Sequence, residues 1–302
     1  MSKKMEEQQK YIDIIGEIDN SYALMKQVRP LSAGGLKYFN NEFSISASHN
    51  SNAIEGNTFT FDETKLLIEK GIVTGAHSLR ESEDIVGYKQ AFDFLYESVK
   101  EKKPITEEFI KQVHSFVLRG DEEAGKYRTI QNYVGNMTRI VYTPCPPSQV
   151  PKKMKAYVAE VQTDCKHNAE LAEQGQFNWV ELFHNLAKHH IEFENIHPFV
   201  DGNGRTGRLL LIYEMISLGL LPVDVRYEER DRYYAAISSY RDKEKYSTRP
   251  ESKTEGMAKL LAESELASMK IWLSIYSGSG ASQTESDDDG GAGSGGGSDI
   301  EM

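Results

Sequence analysis

"IHPFVDGNGRTGRLLL", residues 196 to 211, gathers a histidine, a carboxylate, three glycines, an asparagine and two arginines ahead of an apolar run that reaches Pro222. The local structure expected is a turn feeding a helix. The first turn of a helix leaves backbone N–H groups unpaired, and its dipole favours an anion. Gly202 and Gly204 let the backbone approach a phosphate closely, and Asn203 between them can add a side-chain amide. Arg205 and Arg208 are three apart, so they share a helix face and can both grip phosphate oxygens. Asp201 beside a phosphate calls for a bridging cation, and magnesium fits one carboxylate plus phosphate oxygens and water. His197 precedes a proline, which predicts extended backbone, and an ordinary imidazole pKa near about 6.5 suits a general base. These are the parts of nucleotidyl or phosphoryl transfer.

Each residue alone has a plainer role. A Gly-Asn-Gly is commonly a turn, a histidine beside proline is commonly structural, and two arginines can serve surface ion pairs. Their contiguity at a helix start is what points to chemistry.

Working outward, the pattern is mostly helical. "EDIVGYKQAFDFLYESVK" (83–100) and "NWVELFHNLAKHHIEF" (178–193) repeat apolar residues at three- and four-residue intervals. Thr106 precedes "EEFIKQVHSFVL" as a helix cap with acids in the first turn, and Gly219 with Pro222 closes the helix after the dense segment. One segment, "YRTIQNYVGNMTRIVYTPCPP" (127–147), carries β-branched and aromatic runs on both sides of Gly135-Asn136 and predicts a β-hairpin. A hairpin in a helical protein has little sheet to join, so its edge is open to another chain or it serves as a surface flap. "KEKYSTRPESKTE" (243–255) reads as a polar connection before a last helix.

The dense segment resembles the signature of the Fic (filamentation induced by cAMP) family, H-P-F-x-[D/E]-G-N-G-R-x-x-R, at every defined position from His197 to Arg208. The resemblance implies a mainly α, Fic-type helical fold with a β-hairpin flap, and transfer of AMP from ATP, with Mg2+, to a protein hydroxyl. It implies His197 as the base that deprotonates the target and Asp201 as the metal holder. Gly202, Asn203 and Gly204 would receive the phosphates, Arg205 would orient the polyphosphate and Arg208 would grip the γ-phosphate. Arg205 stands where phosphorylating relatives resembling the Doc toxin carry lysine, so the AMP-transferring version is implied. The hairpin matches the family's flap, whose residues Thr138, Arg139, Ile140 and Val141 would hold a target segment as an added strand. "RDRYYAAISSY" (230–240) resembles the part lining the adenine site, with Tyr233 and Tyr234 as stacking candidates, although tyrosines at helical spacing are more often core.

Residues 51 to 57, "SNAIEGN", would by themselves be a helix C-terminus closed by Gly56. They also match the family's inhibitory motif [S/T]-x-x-x-E-[G/N] through Ser51, Glu55 and Gly56. A bidentate ion pair of Glu55 with Arg208 would keep the γ-phosphate from docking, and misplacing the reacting atoms by about 1 Å costs roughly 100-fold. The motif's place upstream of the core resembles the class with an N-terminal, intramolecular inhibitory helix. Glu55 is equally suited to positioning water in a de-AMPylase. From another class, a catalytically silent module that binds nucleotide and presents the flap remains an alternative.

Bulk features set the outer limits. Of the formal net charge of -11, six acids lie in residues 277–302, which leaves about five negative charges elsewhere and no basic stripe for a nucleic acid. Cys145 and Cys165 form no disulfide framework, which suits a reducing compartment. The opening "MSKKMEEQQKYIDIIGEIDN" lacks the apolar stretch of a secretory signal, and no segment has the ~18 apolar residues of a membrane span. A cytoplasmic protein is expected. Its partner would be a protein substrate, itself included, and such enzymes can be regulated by assembly into oligomers. His184, His189 and His190 lack metal-binding spacing and read as packing or surface residues. The expected organisation is an N-terminal helical region with the inhibitory motif (1–99), a Fic core (100–250), a C-terminal helix (251–276) and a disordered acidic Gly/Ser tail (277–302).

Overall fold

The computed structural model describes residues 3–28, 33–136, 139–240 and 253–284. The helices are α1 (Lys3–Gln27), α2 (Ala33–Ile54), α3 (Phe61–Lys70), α4 (Leu79–Lys100) and α5 (Glu107–Val117), followed by α6 (Val150–Glu173), α7 (Trp179–Ile196), α8 (Asn203–Ser217), α9 (Arg230–Tyr240) and α10 (Glu255–Thr284). Strands β1 (Val134–Asn136) and β2 (Arg139–Tyr142) form an antiparallel pair between α5 and α6. Among the described residues no helix is long and apolar enough to cross a membrane.

Local chemistry sets several of these boundaries. Thr60 with Glu63, and Ser78 with Glu81, close reciprocal capping boxes on α3 and α4. The Thr106 hydroxyl accepts the Phe109 N–H, so the expected cap of α5 is formed.

The dense segment decides the architecture because α8 is buried on every side. Leu211 and Met215 join Phe183, Leu186 and Ile191 of α7, Ile14 and Ile18 of α1, and Leu261 and Met269 of α10 in one core. Leu209, Leu210, Ile212 and Tyr213 turn the other way, onto Phe92, Leu95, Phe109, Val113, Val161 and Phe193. A helix apolar all round belongs in the middle of a domain, and each large side chain so buried contributes roughly 1.5–3 kcal/mol. The region expected at 1–99 therefore shares both cores with the rest: α1 enters the first, and α2 and α4 enter the second.

Two expectations shift. In the hairpin, Gly135 and Asn136 lie inside β1 and pair with Ile140 and Arg139. Gly135 adjoins a register irregularity after Val134, where a residue without a side chain tolerates bulged backbone. Residues 137–138, including Thr138, lie outside the described residues. At the C-terminus α10 runs on to Thr284, past the expected helix end at 276, with no proline in residues 277–284 to break it. Residues 241–252, most of the polar connection, and 285–302, the rest of the tail, lie outside the described residues.

Candidate active site

The site begins where α7 ends. His197 adopts a left-handed backbone, φ 50° and ψ 62°, rather than the extended one its proline neighbour favours. Helix capping wins: the His197 N–H donates to the Phe193 carbonyl at 2.9 Å, which closes the last turn of α7 and throws the chain sharply toward α8. The intervening loop is pinned from within. Asn203 accepts the Phe199 N–H through Oδ1 and donates through Nδ2 to the Phe199 carbonyl, both at 2.9 Å. One of its two amide hydrogens is thus committed to the loop. What it leaves open is the backbone of the helix start.

Phe199 is fully buried, with its ring stacked 3.6 Å from that of His114 at an interplanar angle of 3°. Gly125 donates its N–H to His114 Nδ1 at 2.9 Å, so the ring proton is on Nε2 and donates to the Asp201 carbonyl at 2.9 Å. Burial lowers the His114 pKa to about 4, and the ring is neutral. Gly202 caps α8 at φ 72°, and a Cβ there would lie 3.1 Å from Val117 Cγ1, so glycine answers both a backbone and a space requirement.

Arg205 and Arg208 are both buried, and each has internal anionic company. Arg205 Nη1 meets Asp84 Oδ1 at 2.5 Å and its Nη2 lies 3.6 Å from Asp201 Oδ2. Arg80 of α4 approaches the same two carboxylates, at 3.3 Å from Asp84 and 3.8 Å from Asp201. Arg208 is shared among three residues. Nε donates to the Ser51 hydroxyl at 2.8 Å, and Nη2 donates to the Ser51 carbonyl at 2.9 Å and to Glu55 Oε1 at 2.7 Å. Nη1 donates to the Tyr233 hydroxyl at 3.3 Å. The Glu55 pairing thus uses one carboxylate oxygen, not the two-pronged contact expected, because Ser51 already takes the rest of that edge.

Gly56, at φ 95°, ends α2 immediately after Glu55, so the plain helix-terminus reading and the placement against Arg208 hold together. Gly204 shows how close the approach is: a Cβ on it would lie 2.2 Å from Glu55 Oε1. The carboxylate rests over the first turn of α8, where an anion is favoured.

Tyr233 is interior, at 1% exposure, and its hydroxyl is hydrogen-bonded to His190 Nε2 at 2.7 Å. His190 is held neutral, its pKa lowered to about 3 by burial and by Arg208. Tyr233 therefore relays between Arg208 and His190 and offers no open ring face for stacking, because it fills the core. Tyr234 is exposed and donates to the Ile54 carbonyl at 3.3 Å. On the hairpin, Ile140 and Val141 are exposed. The Tyr142 hydroxyl donates to the Asn195 carbonyl at 3.0 Å, and Asn132 Nδ2 donates to the Phe199 carbonyl at 2.8 Å, so the flap is fastened to the signature loop.

Of the other histidines, His189 bridges Glu214 Oε2 at 2.7 Å and Asp164 Oδ2 at 2.9 Å, inside the bundle. Residues with no role assigned from sequence are Asp84 and Arg80 beside Asp201, His114 under the loop, and Arg128 behind it. Asp84 and His114 lie in stretches read only as helices, and Arg128 in the one read as a hairpin, with nothing local to mark them for the site.

Residues 104–215 match the model of the Fic/DOC family. Protein adenylyltransferase fic-1 of Caenorhabditis elegans is 34% identical over 189 residues, covering 61% of this chain and 34% of the relative. Protein adenylyltransferase Fic of Nematostella vectensis is 31% identical over 196 residues, covering 63% of this chain and 42% of the relative. The chain thus spans about a third to two fifths of the length of these curated relatives. Among solved structures, a Fic domain containing signaling protein from Bacteroides thetaiotaomicron superposes with a TM-score of 0.75 at 25% identity, covering 87% of this chain and 97% of that one. Fic-1 of C. elegans superposes with a TM-score of 0.67 at 25% identity, covering 90% of this chain and 72% of that one.

Proposed function

We propose that this chain, whose residues 104–215 match the Fic/DOC family model, transfers AMP from ATP to a hydroxyl side chain of a protein and that Glu55 restrains the reaction. The observation that carries this reading is the seat of Glu55, whose Oε1 contacts Arg208 Nη2 at 2.7 Å over the open helix start at Gly204. An anion already sits where the chemistry calls for one.

In the reaction His197 takes the proton of the target hydroxyl, and the oxygen attacks the α-phosphorus. The bond from that phosphorus to the bridging oxygen of the β-phosphate breaks, and pyrophosphate leaves. The N–H groups of Asn203 and Gly204 receive the phosphates, while the Gly202 N–H donates to Asp201 Oδ1 at 2.6 Å, and Arg208, once Glu55 yields, grips the γ-phosphate. Arg205, anchored by Asp84, adds positive charge beside the polyphosphate, and Tyr234 is the ring left exposed for the adenine.

Asp201 fits a magnesium ion: its side chain is 66% exposed, and its carboxylate adjoins the helix start. No group of three or more potential metal ligands is present among the described residues, so the ion would take its other ligands from phosphate and water, as magnesium commonly does. When bound, it would offset polyphosphate charge. The target would lie as an extended segment along Arg139, Ile140 and Val141 of the flap. The two unpaired thiols suit work in a reducing compartment such as the cytoplasm.

Intact-mass measurement after incubation with ATP and Mg2+ tests the proposal. Glu55→Gly should gain AMP, the wild type much less, and Glu55→Gly with His197→Ala none. No transfer by any of the three would favour a silent nucleotide-binding module. Release of AMP from a modified chain, dependent on Glu55, would favour hydrolysis instead.

A further inference from the structure

One buried side chain joins the flap to the general base without belonging to either. Arg128 precedes β1 and is 2% exposed. Its Nε donates to the His197 carbonyl at 2.8 Å and its Nη2 to the Ile196 carbonyl at 3.4 Å. Its Nη1 donates to the Ile130 carbonyl at 3.1 Å, and Nη2 also donates to the Cys145 carbonyl at 2.5 Å. Its backbone N–H donates to the Pro198 carbonyl at 2.9 Å. The acceptors come from three places: the end of α7 with His197, the stem of the flap before β1, and the stem after β2.

A guanidinium suits this junction for two reasons. Carbonyls at the end of α7 carry the negative end of the helix dipole, which a cation there offsets. The planar fork of donors can also reach several carbonyls in fixed directions, which an ammonium cannot copy. The left-handed backbone of His197 is disfavoured for a residue with a side chain, and a charged donor on its carbonyl holds it there.

We infer that Arg128 is a positioning residue, which locks the His197 backbone and both stems of the flap into one unit and so sets the height of the target hydroxyl over the imidazole. This rests on the AMP-transfer reading above. The phosphate-binding turn at Gly202 to Gly204 and the Arg208 cluster are built from other hydrogen bonds, so ATP binding and target positioning are separable.

The test uses the full chain carrying Glu55→Gly, with the chain itself as acceptor. Arg128→Lys is added, and three quantities are measured: ATP affinity by calorimetry, AMP transfer by intact mass, and free AMP released to water by chromatography. Transfer should fall about 100-fold, the cost of roughly 1 Å of misplacement, while the ATP dissociation constant stays within about twofold. Free AMP per transferred AMP should rise, because water needs no flap to reach the α-phosphorus. Transfer within about threefold of the Glu55→Gly parent, in a protein with native circular dichroism, would overturn the inference. ATP affinity falling in step with transfer would also overturn it, since Arg128 would then support the whole fold. Should Arg128→Lys not fold, Arg128→Gln, which keeps a planar donor group, takes its place with the same readouts. An inactive Glu55→Gly parent would overturn the AMP-transfer reading and this one with it, whereas an active parent isolates Arg128.

Discussion

Glu55 lies on Gly204 so closely that a methyl group there would stand 2.2 Å from its Oε1. The space above the first turn of α8 is therefore filled by a carboxylate and bounded by a residue with no side chain. If a phosphate takes the same space, Gly204→Ala should weaken ATP binding at least about tenfold even when Glu55 is already glycine. Calorimetry on the single and double variants checks this. Equal affinity with and without the methyl group would place the phosphates elsewhere.

Ser51 is the other half of the hold on Arg208, receiving its Nε at 2.8 Å in a buried setting. Hydrogen bonds to charged groups are worth about 1.5–3 kcal/mol, so Ser51→Ala should lower stability by about that much. It should also raise AMP transfer above wild type but less than Glu55→Gly does, since Glu55 and the Ser51 carbonyl remain. Urea denaturation and intact-mass assays read the two effects.

Stability should fall on both sides of neutral pH. His114 and His190 have folded pKa values lowered to about 4 and about 3, chiefly by burial. Below the ordinary value near about 6.5 the unfolded chain binds protons that these rings do not, so their contribution is complete above that pH and is lost as pH falls below it. His189 runs the other way. Burial alone would lower it, but Glu214 and Asp164 outweigh that and raise it to about 10. Its contribution is complete below about 6.5 and is lost as pH rises through about 10. Urea midpoints across pH should show both limbs, with His189→Gln flattening the alkaline one and leaving the acid one.

Glu265 of α10 is wholly buried, and burial raises its pKa to about 8, against one hydrogen bond from the Leu221 N–H at 3.3 Å. The unfolded carboxyl ionises near about 4.3, so ionisation favours the unfolded chain and stability declines as pH climbs from there to about 8. Glu265→Gln should remove that decline, and thermal melts at pH 4, 6 and 9 should show the variant gaining on the wild type progressively as pH rises.

The fold and the site were legible in the sequence where information is contiguous. The helix start at 203, the hairpin and the Ser51–Glu55 pair are each written within a few residues. Features that depend on distant partners were not. Asp84 beside Arg205, and His114 beneath Phe199, come from helices far along the chain and carry no local mark. Tyr233 looked available for a ligand until packing buried it. At His197 a local rule was correct in kind and lost, because the proline's preference is weaker than closure of α7 supported by Arg128.

The contact between α2 and α8 lies within one polypeptide, and this shapes how it responds to its surroundings. A tethered carboxylate meets its arginine at an effective concentration on the order of millimolar or above, set by chain geometry. Dilution cannot loosen it, and on the proposed function an incoming triphosphate must outcompete a rival that never diffuses away. Release then depends on what bends or displaces α2.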